Sequence, residues 1–191
     1  MKLQRIILLT GIALGATPFA SADTYRLEKS HADLLFSVDH AGFTAKHGLF
    51  HDFDATLQYD AGHVAASHVM VTVKTASIDT GLEQRDGDLK GAQFLDVQKF
   101  PEMTFVSTRV TPGPGGTLVI EGDLTLHGTT RPITLNATLN KAAPNPFSKK
   151  PTLGFSATGS LKRSDFGVST FVPIIGDVVT LTIDAEFGQE P

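Results

Sequence analysis

Apolar and polar residues alternate with period two along most of the chain. In Ile133-Thr-Leu-Asn-Ala-Thr-Leu139 every odd position is apolar and every even one polar, as in a strand with one buried face. The same phase groups Leu34, Phe36 and Val38; Phe53, Ala55, Leu57 and Tyr59; and Val69, Val71 and Val73. It recurs in Leu118, Ile120, Leu124 and Leu126; in Leu153, Phe155, Ala157 and Leu161; and in Val179, Leu181, Ile183 and Phe187. Strands of a doubly wound parallel sheet are apolar on both faces and separated by helices, so single-faced strands predict an antiparallel meander. Turn-forming clusters at Asp60–Gly62, Pro112–Gly116, His127-Gly128 and Ala142–Pro146 separate the runs. There is one clear interruption: residues 81–100 are charged, lose the alternation, and read as one or two short helices closed off by Pro101.

About eight strands of this kind either stack as a sandwich or close into a barrel, and closure removes the exposed edges that invite aggregation. The fold class is therefore all-β, a single antiparallel barrel. A barrel of that size holds packed side chains or one small ligand. The inward phase supplies the candidate pore lining: Phe36, Val38, Phe53, Ala55, Leu57, Val71, Leu124, Ala137, Phe155, Ala157, Leu181 and Ile183. That phase also holds Gly122, Gly159 and Ala185, and the chain has no Trp to fill a wide lumen. Two readings stay open: the small residues leave room for a guest, or they fit the taper of a packed barrel.

The N-terminus changes the picture. Lys2 and Arg5 precede an apolar run, Ile6 to Ala16, too short for the ~20 apolar residues of a bilayer span. Pro18 and the small residues Ala20-Ser-Ala22 then resemble the end of an export signal, so residues 1–22 are expected to be removed and residues 23–191 to form one barrel domain in the periplasm. Processing leaves 14 of the 16 Lys and Arg against 20 Asp and Glu, so the formal charge moves from −4 to 14 − 20 = −6. Such a surface lacks the basic patches that capture nucleic acid or anionic membranes, and neither nucleic acid nor stable membrane insertion is expected. The absence of Cys removes disulfides and thiolate chemistry together.

Several stretches, taken in order, resemble the landmarks of the YceI-like, polyisoprenoid-binding periplasmic proteins. They are His40-Ala-Gly-Phe-Thr-Ala-Lys-His-Gly-Leu-Phe50, Ser77-Ile-Asp-Thr80, Arg85-Asp86 with Leu89, Phe94-Leu-Asp-Val97 ahead of Phe100-Pro101, Gly122–Leu135, and Arg163-Ser-Asp-Phe-Gly167. The resemblance spans Tyr25 to Phe187. It implies a lipocalin-like barrel whose elongated apolar pore holds a polyisoprenoid or other long amphiphile, a quinone or its precursor among them. It also supplies polar head-group candidates: Ser77, Arg85, Asp86, Arg163 and Asp165. The chain departs from the family pattern at Ala32, where Ser usually follows His31, and at Asp88, where His is usual.

Other polar residues carry competing readings. His127 and Arg131 flank the Gly128 hairpin and are read as turn-pinning groups, with contact to a polar head at the barrel mouth as the alternative. His40, His47 and His51 are the best metal or catalytic candidates. On one strand, however, His47 and His51 sit ~13 Å apart at ~3.3 Å per residue, too far to chelate one ion. Arg85 with Asp86 and Arg163 with Asp165 read first as ion pairs tying a helix or strand end to the barrel. A nucleophile elbow, a His-Glu-x-x-His helix and a phosphate loop are all absent from the sequence. The expectation is a non-enzymatic carrier or reservoir with no cofactor and no metal. The alternatives are an enzyme acting on an isoprenoid lipid and a ligand-free envelope stress or interaction protein. The sequence sets no oligomeric state, and a dimer is compatible with it.

Overall fold

A computed structural model of the chain describes residues 22–190. The expected export signal, all but its last residue Ala22, lies outside these residues. The strands are β1 (Asp23–His40), β2 (Thr44–Phe50), β3 (Phe53–Tyr59), β4 (His68–Lys74), β5 (Ile78–Asp79), β6 (Glu102–Pro112), β7 (Thr117–Leu126), β8 (Thr129–Pro144), β9 (Pro151–Lys162) and β10 (Ile175–Gln189). The helix α1 (Glu83–Lys90) lies between β5 and β6.

All pairings are antiparallel, and β10 pairs with β1 to close the sheet. Both β2 and β3 pair with β1, and both β5 and β4 pair back onto them. Each of these two pairs is thus a single barrel strand kinked in its middle, at His51-Asp52 and at the 3-10 turn Thr75–Ser77. Counted this way the chain is an eight-stranded closed barrel in which every strand pairs with its sequence neighbours. The expected region of helix resolves into one helix followed by turns through residue 100.

The alternating positions point inward. One buried cluster joins Tyr25, Leu27, Leu34, Phe53, Leu57, Leu153 and Phe187; a second joins Phe105, Leu124, Leu126, Leu135 and Phe166; a third joins Val110, Leu118 and Ala137. The ends of the barrel differ. At one end lie the β1–β2 turn, α1 and its following loop, the β7–β8 hairpin and the β9–β10 loop. At the other lie the β6–β7 and β8–β9 turns and the 3-10 turn Val64–Ala66, whose Val64 packs against the third cluster.

Two of the small inward residues are packing devices. A Cβ on Gly122 would run into the ring of Phe105, and one on Gly159 would meet Leu135. These glycines seat neighbouring side chains and leave no space for a guest. Ala137, Ala157 and Ala185 are different: all three face open space inside the barrel.

Candidate functional site

The lumen holds two apolar chambers in line along the barrel axis. The first, of about 150 Å³, lies under α1 and is lined by Phe36, Val38, Leu89, Phe94, Met103, Val168, Leu181 and their neighbours. The second, of about 110 Å³, lies toward the far end and is lined by Leu57, Val71, Val110, Ala137, Phe155, Ala157, Ile183 and others, with Ser67 and His68 at its rim. No residue lines both. Between them sit Leu34, Phe53, Ala55, Val73 and Leu124, all buried. Of the expected pore residues, Phe53, Ala55 and Leu124 therefore belong to this packed belt, and the remaining nine line one chamber or the other. The resemblance implies a single elongated pore; the side chains of the belt divide it in two.

The chamber under α1 opens into a polar cleft. Phe36, Val38, Leu89, Phe94 and Ile175 line both spaces, and the cleft adds His40, Lys46, His47, Thr80, Arg85, Asp88 and Gln93. Lys46 sits here because it shares the inward phase of β2 with buried Gly48 and Phe50, and the strand pairs Lys46 with Val38. His40 follows Phe36 and Val38 on the inward phase of β1. The cleft thus offers two permanent cations and two imidazoles against one carboxylate, at the mouth of a space with almost no polar surface.

Arg85 is held by Thr80. Its Nε donates to Thr80 Oγ1 at 2.8 Å and its Nη2 to the Thr80 carbonyl at 2.7 Å. Asp86 accepts from the same residue, from its N–H at 2.9 Å and its hydroxyl at 2.5 Å. The expected Arg85–Asp86 ion pair is thus replaced by a shared clamp on Thr80 that ties α1 to the end of β5. This clamp and half-buried Leu89 are the main anchors of a helix that buries no residue fully.

Arg163 and Asp165 likewise do not pair. Arg163 is buried and donates from Nε to the Gly176 carbonyl (2.9 Å), from Nη1 to Val168 (2.8 Å) and from Nη2 to Ile175 (3.0 Å). Burial pushes this guanidinium below its ordinary value, and nearby Asp177 acts in the opposite sense. Asp177 is itself held below the usual carboxylate value, first by the Ser164 hydroxyl (2.7 Å) and then by the Ser164 N–H (2.9 Å). A buried guanidinium needs acceptors, and three carbonyls, one in the β9–β10 loop and two at the start of β10, supply them better than one exposed carboxylate. Arg163 does line the chamber under α1, but all three of its nitrogens are engaged.

The remaining candidates lie elsewhere. Ser77 donates to the Lys74 carbonyl at 2.7 Å and lines neither chamber. Asp165 and Arg131 share a surface cleft on the outside of the barrel. His127 packs its ring against Phe100, centroids 4.5 Å apart, and with φ 51° it forms the hairpin jointly with Gly128 at φ 73°. Arg131 reaches only the Thr130 carbonyl, at 3.4 Å. His51 turns away from the cleft and meets Asp79 at 2.8 Å, a contact that lowers the pKa of Asp79. Among the described residues no three His, Cys, Asp or Glu side chains come together to hold a metal ion. Lys46 and the Thr80 clamp are the cleft features that sequence reasoning missed; His40 and His47, read there as metal or catalytic candidates, line the cleft. The signal for Lys46 was a polar residue sitting on an otherwise apolar phase.

Comparison with known proteins agrees with this architecture. The model of the YceI-like domain matches residues 25–187. A UPF0312 protein of Enterobacter sp. strain 638 is 39% identical over 188 residues, covering 95% of this chain and 97% of the relative. The crystal structure of BcnA from Burkholderia cenocepacia superposes with a TM-score of 0.76 at 22% identity, over 84% of this chain and 98% of that one. A polyisoprenoid-binding domain from Saccharophagus degradans, implicated in plant cell wall breakdown, superposes with a TM-score of 0.65 at 13% identity, over 87% of this chain and 98% of that one.

Proposed function

The chain belongs to the YceI-like family, and on that premise we propose that it is a periplasmic carrier or reservoir for a polyisoprenoid or a similar single-chain amphiphile. The observation that carries this reading is the pair of apolar chambers in line behind a polar cleft, a shape that matches a long hydrocarbon chain with one polar end. The chain lies in the lumen, entering under α1. The head stays in the cleft, where Lys46, His40 and the unengaged Nη1 of Arg85 face it. The similarity to a domain described as polyisoprenoid-binding supports the same ligand class.

Protein purified from the periplasm of its host and examined by native mass spectrometry is expected to begin at Asp23 and to carry one lipid per chain, released as a prenyl compound by organic extraction. Protein with an intact Met1, recovered from the membrane fraction and free of lipid, would overturn the reading.

A further inference from the structure

The polar cleft is ringed by apolar side chains that point into water. Phe43 in the β1–β2 turn is 86% exposed, Ile174 67%, Phe171 61% and Leu82, just ahead of α1, 51%. Three segments carry them; the β1–β2 turn is joined to the β9–β10 loop, and that loop to the turn that follows α1. The Ala41 N–H donates to the Ile174 carbonyl at 3.0 Å, the Thr170 hydroxyl to the Gln93 carbonyl at 2.6 Å, and the rings of Phe94 and Phe171 lie 6.2 Å apart. Ala41 and Phe171 both hold positive φ, 55° and 64°, an unfavourable backbone state for residues with a side chain. The rim thus holds apolar tips in water on a braced and strained backbone, with only Phe171 in contact with another ring. Such exposure marks a contact surface.

From this arrangement we infer that the rim docks transiently on the surface of an electrically neutral lipid bilayer, with Phe43, Leu82, Phe171 and Ile174 entering the interface around the cleft. The inference rests on the carrier reading above, since a chain leaving the lumen through this mouth has to cross from protein to membrane without passing through water. With ~150–250 Å² for a full aromatic side chain, the four residues expose on the order of 500 Å² as separate tips around an open cleft. A bilayer takes up such tips one by one, whereas a protein partner needs a continuous, closely packed core. Charge selects the kind of bilayer. Lys46, Arg85 and Lys90 are offset around the rim by Asp39, Glu83, Asp86 and Asp88, so there is no basic patch for anionic lipids, and attraction has to come from the apolar tips.

The absence of Trp from the chain makes the test clean. Three single-Trp variants, Phe43→Trp, Ile174→Trp and Phe147→Trp, are mixed with phosphatidylcholine vesicles. Phe147, 92% exposed in the β8–β9 turn, reports on the opposite end of the barrel. Both rim reporters are expected to shift to the blue and to be quenched by brominated acyl chains, at low and high salt alike, while the Phe147→Trp reporter stays unchanged. Adding Phe171→Asp to either rim reporter is expected to weaken vesicle binding about tenfold, the scale of losing one buried aromatic side chain. Unshifted rim reporters, equal shifts at both ends, or a rim shift that appears with rising protein concentration and no vesicles would each overturn the inference, the last by identifying a second copy as the occupant. Failure of docking in a protein that still copurifies with lipid refutes the docking alone. A lipid-free protein whose rim still inserts keeps the docking surface and removes the carrier.

Discussion

Replacing Ala157 with Trp is expected to leave the barrel folded and to cut its affinity for long prenyl chains at least tenfold. Ala157 faces the far chamber beside its strand partners Ala137 and Ile183. An indole there fills a space of about 110 Å³. Each five-carbon isoprene unit excluded removes roughly 4 kcal/mol of gross burial at ~0.8 kcal/mol per CH₂. The far chamber holds about one such unit, and half of that contribution, after losses in the belt, already exceeds a tenfold effect. Short chains that fill only the chamber under α1 should bind as before. Titration of prenyl alcohols of increasing length against the variant, with far-ultraviolet circular dichroism as the control for folding, checks this. Some loss of stability, ~1–3 kcal/mol, accompanies any overpacking. Unchanged binding of the longest chains by a folded variant would mean that the far chamber holds no ligand.

The second large effect concerns stability. Arg163→Ala is expected to lower the unfolding free energy by about 3–5 kcal/mol, the scale of removing three charge-assisted hydrogen bonds and leaving their acceptors unsatisfied. The change leaves the carbonyls of Val168, Ile175 and Gly176 without their donor. It also frees the segment carrying Phe166, at 1% exposure the most buried large side chain among the described residues. Urea unfolding monitored by tyrosine fluorescence or circular dichroism measures it. A lysine at this position has a single ammonium group and cannot span all three carbonyls, so Arg163→Lys should recover only part of the loss. A variant of unchanged stability that no longer binds lipid would instead assign Arg163 to the head group.

The strands were legible because a single buried face imposes period two, and Ile133 to Leu139 shows it without a break. β6 escaped for a physical reason. Its inward residues Met103, Phe105 and Ser107 are followed by Val110, because a bulge between Ser107 and Arg109 shifts the phase by one. Buried Ser107 marks the irregularity and accepts the Val69 N–H at 2.9 Å. The kinks at His51-Asp52 and Thr75–Ser77 leave β3 and β4 with their alternation intact, but β5 is only two residues long and β2 carries Lys46 and Gly48 on its inward phase, so neither shows an apolar period.

The site was legible only by location. Arg85 and Arg163 lie in recognisable landmarks, yet what each one does depends on partners that no spacing reveals. Thr80 takes both Arg85 and Asp86, and three main-chain carbonyls take Arg163. Whether small inward residues leave space was also beyond the pattern. Gly122 and Ala157 look alike in sequence, but Phe105 fills the first position and nothing fills the second.

On the proposed carrier reading, burial of a hydrocarbon chain in the lumen, and not recognition of a head group, decides what this protein holds. The most direct test is a titration of the unmodified protein along two series: prenyl alcohols of increasing length, and one length carrying alcohol, phenol or phosphate. Affinity is expected to rise with each isoprene unit until both chambers are full. It should change by no more than about a hundredfold across the head groups, because a hydrogen bond to a charged side chain nets only ~1.5–3 kcal/mol. Affinity that is flat with chain length and collapses when the head group changes would contradict the account and point to chemistry in the cleft instead.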